Sequence, residues 1–313
     1  MNIVIPDDYQ NCVTTLACFK KLAEHQVTIY NDTAKTTDEL VTRFKDADAI
    51  VLTRERTRIT DELLARLPKL QVISQTGKVA NHIDMEACKK RGIAVLEGSG
   101  SGAATAELGM LLILSSLRRF TDEVERMKNG QWQGFVGRQL QGKTLGVLGF
   151  GRIGEQICKL GLAFGAKVVV WGRPSSLAKA SDKGFAVAAS REAFFSNCDV
   201  ITLQLRLSGE TKQYVTATDL ALMKSDAIFV NTSRAELVEE GALAHALKLG
   251  HPGFAAVDVY EDEPLFKNRH PLQDLPNCLC SPHIGFVEQD NYEAYYGTAF
   301  DNLNAFKINS ILA

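Results

Sequence analysis

Charge of one sign is what this 313-residue chain most plainly lacks: 35 Lys plus Arg stand against 37 Asp plus Glu, a formal net charge of -2 at pH 7. There is no global positive field to hold a nucleic acid or an anionic membrane, so any anionic ligand must be held by a local site. Cysteine is sparse and unpatterned, with seven residues at 12, 18, 88, 158, 198, 278 and 280 and no CxxC spacing. That argues against a disulfide framework and against a metal site, and reduced thiols are expected. Long apolar runs are missing too. The most apolar stretch, 108–117, is ten residues long, well short of the ~18 that suggest a membrane span. The chain opens on a short apolar strand followed by Pro6, Asp7 and Asp8, without the basic head and long apolar middle of a signal peptide, so the cytoplasm is the expected compartment. No repeat of fixed period and no low-complexity tract is found, which removes solenoid and linker-rich architectures.

What is present is an ordinary globular composition, 45% hydrophobic and 23% charged, over a length that suits two domains. Short apolar runs alternate with helix-patterned segments: 27–30, 49–52, 70–73 and 93–96 in the first third, then 144–148, 168–171, 200–203, 227–230, 255–259 and 279–281. That is the alternation of an α/β fold with parallel sheets. A small-residue stretch at 98–105 interrupts it, followed by an apolar helix over about 106–118. The six strands of the later series suit one doubly wound sheet. The last segment, 287–313, reads as a helix that packs back onto one of the two domains.

Gly149, Gly151 and Gly154 form GxGxxG directly after the strand 144–148 and directly before the helical run 155–164. The three glycines answer three physical demands: a tight turn, close approach of backbone to a pyrophosphate, and close helix-to-strand packing. With Arg152 and Ile153 they bring a helix N-terminus to the phosphates of a dinucleotide. About 20 residues on, where an acidic side chain would bind ribose hydroxyls, stands Gly172, followed by Arg173 and Ser175. An Asp there would repel a 2′-phosphate. A cation and a hydroxyl favour it, so NADP is expected over NAD.

Four segments carry a more specific likeness: GKTLGVLGFGRIG at 142–154, NTSR at 231–234, DVYEDEP at 258–264 and SPHIG at 281–285. Together they resemble the D-isomer-specific 2-hydroxyacid dehydrogenases, the group that includes phosphoglycerate dehydrogenase and glyoxylate/hydroxypyruvate reductase, over nearly the whole chain. The resemblance implies two Rossmann-like doubly wound domains with a cleft between them, a dinucleotide domain over about 99–285 and a substrate domain combining 1–98 with 286–313. It implies that Arg234, Glu263 and His283 are catalytic, that Thr232 and Asp258 line the cofactor, and that a homodimer forms around the helix beginning near Ala106 with Trp132 and Phe135 beyond it.

Chemistry asks independently for the same residue types. Reducing a 2-oxo acid needs a hydride from nicotinamide, a proton for the carbonyl oxygen, and a cation to orient the carboxylate. His283 suits the proton, with Glu263 fixing its orientation, and the planar guanidinium of Arg234 suits the carboxylate. In the first domain, SQTGKVANHID at 74–84 resembles the family loop whose backbone amides at Gly77, Lys78 and Val79 hold a substrate carboxylate, and Arg54 matches a family position near it. A small anionic 2-oxo or 2-hydroxy acid is the expected partner. Departures from the family pattern fall at Ala235, Gln204, Arg206 and Phe286, and they bear on substrate choice more than on reaction class. The competing readings are a non-catalytic dinucleotide sensor or corepressor-like protein, and a formate-type dehydrogenase.

Overall fold

A computed structural model describes residues 1–266 and 269–312, with side chains to 306. The chain divides into two compact units, Met1–Ser101 with Val287–Ala313, and Gly102–Phe286.

The first unit is built on five short parallel strands, β1 (Asn2–Ile5), β2 (Gln26–Ile29), β3 (Ala49–Leu52), β4 (Val72–Gln75) and β5 (Ala94–Glu97), in the order β2-β1-β3-β4-β5. Three helices lie between them: α1 (Thr37–Phe44), α2 (Asp61–Leu64) and α3 (Met85–Lys90). Each opens on a residue whose side chain accepts a hydrogen bond from the first turn, Thr36, Thr60 and Asp84 respectively, which satisfies an N–H that the helix cannot. The central strand β3 is fully buried along its length, as expected of a parallel strand covered on both faces. Two strands run later than their apolar runs suggest, because β4 ends in polar Ser74 and Gln75. Both are fully buried and both are satisfied: Ser74 Oγ donates to the Ala299 carbonyl at 2.9 Å and Gln75 Nε2 to the Arg54 carbonyl at 2.7 Å. The C-terminal helix, Gln289–Leu312, belongs to this unit and buries Tyr292, Tyr296, Phe300 and Leu303.

The second unit begins with α4 (Ala103–Arg118) and α5 (Phe120–Lys128) and continues through β6 (Thr144–Leu148), α6 (Arg152–Ala163), β7 (Lys167–Trp171), α7 (Pro174–Asp182), β8 (Ala186–Val187), α8 (Arg191–Asn197), β9 (Val200–Leu203), α9 (Ala217–Leu222), β10 (Ile228–Asn231), α10 (Ala242–Leu249), β11 (Phe254–Val257) and β12 (Cys278–Cys280). All pairings are parallel and the order is β12-β11-β10-β9-β6-β7-β8. The strand order reverses between β6 and β9, which places the ligand crevice of such a sheet outside the carboxyl ends of those strands. The sheet has seven strands where the apolar runs give six. The additional strand, β8, is two exposed residues long and lies inside the short apolar run 185–189, which was not read as a strand. One face of the sheet is covered by α4, α6 and α7 around Met110, Ile113, Val147, Ile157 and Val230. The other packs α8, α9 and α10 around Phe194, Phe229, Leu243 and Leu247.

Candidate active site

In the turn between β6 and α6 the three glycines divide their work. Gly149 has φ +104, and a Cβ there would meet the Gln204 carbonyl oxygen at 2.6 Å. A Cβ on Gly154 would strike the Gly149 carbonyl oxygen, so the helix can lie against the strand only with glycine at that position. Gly151 is different, with nothing within 4 Å of an added Cβ. The two outer glycines are required by the protein itself, and the middle one borders open space. Gly151 is also the N-cap of α6 and gives no side-chain cap to its first N–H groups. An open turn with uncapped amides fits a pyrophosphate.

At the end of β7, Gly172 is buried while Arg173 and Ser175 are exposed at the start of α7. The Arg173 guanidinium lies 3.9 Å from the Glu210 carboxylate, both well exposed, a partner that spacing along the chain did not suggest.

The register of β10, β11 and β12 aligns Asn231 with Val257 and Val257 with Cys280, so the loops carrying Arg234, Asp258, Glu263 and His283 leave one edge of the sheet side by side. Glu263 and His283 are brought into direct contact: His283 Nδ1 is 2.5 Å from Glu263 Oε2, and Glu263 Oε1 accepts the Tyr260 N–H at 2.8 Å. The carboxylate is thus fixed by its own loop and in turn fixes the imidazole, leaving Nε2 as the ring nitrogen available to a substrate. The Phe286 ring meets the imidazole edge-on at 5.3 Å.

His283 has φ +49, a left-handed conformation uncommon for a side-chain-bearing residue. The adjoining chain is held by Asp258, which is fully buried. Asp258 Oδ1 accepts from Ser281 Oγ at 2.6 Å and the Ile284 N–H at 2.9 Å, and Oδ2 from the Gly285 N–H at 2.8 Å. Burial pushes this carboxyl above its ordinary range, against the opposing pull of those hydrogen bonds and of the nearby imidazole. Ser281 and Tyr260 are therefore structural supports of this loop that were not singled out from the sequence, although both stand inside the motifs quoted for Glu263 and His283.

Arg234 begins a short turn after β10. Its Nη1 donates to the Ser233 carbonyl at 2.6 Å, and its own carbonyl accepts from Asn231 Nδ2 at 2.9 Å. Thr232 is buried, and its hydroxyl accepts from Gln204 Nε2 at 3.1 Å, which also donates to Thr202 at 2.9 Å. Gln204, a departure from the family pattern, is built into the wall beside the turn.

In the first unit, Gly77 is buried and a Cβ there would strike the Arg54 guanidinium. Arg54 is itself left-handed, φ +53, with its N–H donated to Thr76 Oγ1 at 2.9 Å. Lys78 follows exposed and Val79 half-buried against the core, with Lys78 Nζ 2.7 Å and the Val79 N–H 2.8 Å from the Glu97 carboxylate. Glu97, at the end of β5, holds this loop and was not singled out from the sequence, because its contact depends on the register of β4 with β5.

A doubly wound sheet that carries an open phosphate turn and a carboxylate-braced imidazole on one edge is the equipment of a dinucleotide-dependent oxidoreductase. The profile described as D-isomer specific 2-hydroxyacid dehydrogenase, NAD binding domain, matches residues 110–285. The D-3-phosphoglycerate dehydrogenase of Methanocaldococcus jannaschii is 36% identical over 84% of this chain and 50% of that protein, so the chain spans half the length of that relative. The glyoxylate reductase of Aeropyrum pernix is 34% identical over 86% of this chain and 82% of its own. Among solved structures, a phosphoglycerate oxidoreductase of Vibrio cholerae O395 is 48% identical, covers 99% of both chains and superposes with a TM-score of 0.96. The chain belongs to the D-isomer-specific 2-hydroxyacid dehydrogenase family, and its second unit contains the family's NAD-binding domain.

Proposed function

We propose that the protein interconverts a small D-2-hydroxy acid and its 2-oxo acid, using a nicotinamide dinucleotide held at Gly149, Gly151, Arg152, Ile153 and Gly154. The observation that carries this reading is the 2.5 Å contact between His283 and Glu263 on the sheet edge that also bears the open glycine turn. When bound, the cofactor supplies or accepts a hydride. The residues of the chain do the rest. His283 gives the carbonyl oxygen its proton in reduction and removes it in oxidation, while Glu263 stabilises the imidazolium and fixes the ring. Arg234 orients the carboxylate and polarises the carbonyl. Thr232 lines the cofactor, and Asp258 supports it by holding the loop that carries His283. Arg54 and the amides of Gly77, Lys78 and Val79 bind the substrate carboxylate.

NADP is the proposed cofactor of choice, with NAD(H) the broader class. The support is the missing acidic residue at Gly172 and the exposed Arg173 and Ser175, since the surface pair of Arg173 with Glu210 is worth only about 0–1 kcal/mol and yields readily to a 2′-phosphate. A kcat/KM favouring NADH over NADPH overturns that choice. A cytoplasmic location is supported by seven cysteines that are all free thiols, and a homodimer by the exposed apolar side chains around α5. Among the described residues no helix is long and apolar enough to cross a membrane.

The test is a panel of 2-oxo acids (glyoxylate, hydroxypyruvate, phosphohydroxypyruvate and larger acids) mixed with NADPH or NADH, following nicotinamide absorbance. Loss of absorbance with at least one acid supports the reading. Cofactor binding with no turnover across the panel replaces the enzyme with a sensor.

A further inference from the structure

Glu97 ends β5, and its strand partner across the ladder is Gln75 at the end of β4. The chain leaving β5 lies hard against the chain leaving β4. The Gly98 N–H donates to the Gly77 carbonyl at 3.0 Å, and a Cβ on Gly98 would meet the carbonyl oxygens of Gln75 and Thr76 at 2.7 and 2.8 Å. Only glycine fits there, and the close approach delivers the Glu97 carboxylate onto the loop 76–79. One carboxylate oxygen accepts the Val79 N–H at 2.8 Å and the other meets Lys78 Nζ at 2.7 Å. The Arg54 guanidinium lies directly over Gly77 in the same loop.

From this arrangement we propose that Glu97 is an internal competitor for the substrate, its carboxylate occupying the amide that a 2-oxo acid must use for its own. The inference rests on the reading of Gly77, Lys78 and Val79 as the substrate-carboxylate loop. Its chemical basis is identity of function: a carboxylate with one oxygen on a backbone N–H and the other on a cation is how such a loop holds any carboxylate. Both side chains of the pair are substantially exposed, 70% for Lys78 and 39% for Glu97, so the contact is weak enough for an external carboxylate to displace. Every substrate then binds only to the fraction of molecules in which Glu97 has swung away, and its apparent affinity is reduced by that fraction. Glu97 thus raises, by one common factor, the concentration that any carboxylate must reach to occupy the loop, and leaves the ranking among acids unchanged.

The experiment uses the full chain with Glu97→Ala and Glu97→Gln. KM and kcat are measured for the best 2-oxo acid of the panel, and the binding of oxamate, an unreactive carboxylate analogue, by calorimetry with the reduced cofactor present. Removing the competitor is expected to lower both KM and the oxamate Kd about two- to fivefold in E97A, less in E97Q, with kcat within about twofold of the parent. The glutamine variant keeps the shape of the side chain and carries the test if E97A folds poorly. Unchanged or weakened oxamate binding in a variant with the parent's melting temperature overturns the proposal. An unmodified protein that reduces no 2-oxo acid, with variants that also bind no oxamate, instead overturns the substrate-loop reading on which it rests.

Discussion

Glu263 makes two contacts at once, to the Tyr260 N–H and to the His283 imidazole, and the difference between them separates chemistry from scaffolding. The backbone contact survives replacement by glutamine, whose carbonyl still accepts. The charge that stabilises an imidazolium does not. His283→Ala should lower kcat by about 10² to 10⁴, the usual worth of a general acid, while NADH binding measured by fluorescence titration stays near the parent value. Glu263→Gln should lower kcat by less and leave the melting temperature nearly unmoved. Normal turnover in H283A removes this residue from the mechanism. The pair also shows how far the sequence reaches. Twenty positions separate the two residues, and no local periodicity joins them; only the family-like motifs in which they sit did so. Asp258 stood in the same motifs, yet its grip on Ser281, Ile284 and Gly285 depends on the alignment of β11 with β12, which no single stretch of chain reveals.

Elements with near-continuous apolar runs were legible because a parallel strand buried on both faces is apolar along most of its length. β3, β9 and β10 are of this kind, each fully buried. β8 was not legible, with two exposed residues held by β7 alone, and neither was the β4–β5 register that sets Glu97 on its loop. Glycine spacing located the β6–α6 turn, and the packing around it decides which glycine is most constrained. Gly154→Ala forces a methyl into the Gly149 carbonyl, where backbone cannot move aside. It should destabilise the protein by about 1–3 kcal/mol and weaken NADH binding, read by calorimetric melting and fluorescence titration. The helix α9 offers a pH-dependent test. Its capping residue Thr216 and Arg191 both hydrogen-bond Asp219, which is almost fully buried. Burial alone would raise this carboxyl, but the bonds from Arg191 and Thr216 outweigh it and hold the group below its ordinary value. A depressed carboxyl stabilises the fold fully above the unfolded value, near ~3.9, and loses that contribution as pH falls through the lower folded value. Asp219→Asn should therefore cost about 1–3 kcal/mol at pH 7, and the gap in melting temperature from the parent should begin to narrow below about pH 4 and go on narrowing as the pH falls further. A gap independent of pH would assign the loss to packing.

At the scale of the whole molecule, α5 is the element that its own chain leaves unfinished. Phe120, Val124 and Met127 recur at the spacing of one helical face, yet no residue of this helix is buried. Phe120 is 58% and Met127 67% exposed, and the segment beyond the helix adds Trp132 at 74% and Val136 at 100%. The segment is nonetheless held in place, since the Glu123 carboxylate accepts from the Gly134 and Phe135 N–H groups and the Arg119 guanidinium covers the Phe135 ring at 4.4 Å. Ordered apolar surface on this scale is uncommon on monomers and marks an association site. A net charge of -2 raises little repulsion between like copies. A second copy of the chain is the proposed occupant. Sedimentation equilibrium at micromolar concentration should give a mass close to twice 34.3 kDa. The double variant Met127→Glu with Trp132→Glu should shift it to the monomer, because burying two unpaired carboxylates in an apolar interface costs more than such an interface returns. The glycine turn is formed within one chain, so the dissociated variant should still bind NADH. A parent protein that sediments as a monomer under these conditions would leave the exposed face of α5 without its proposed partner.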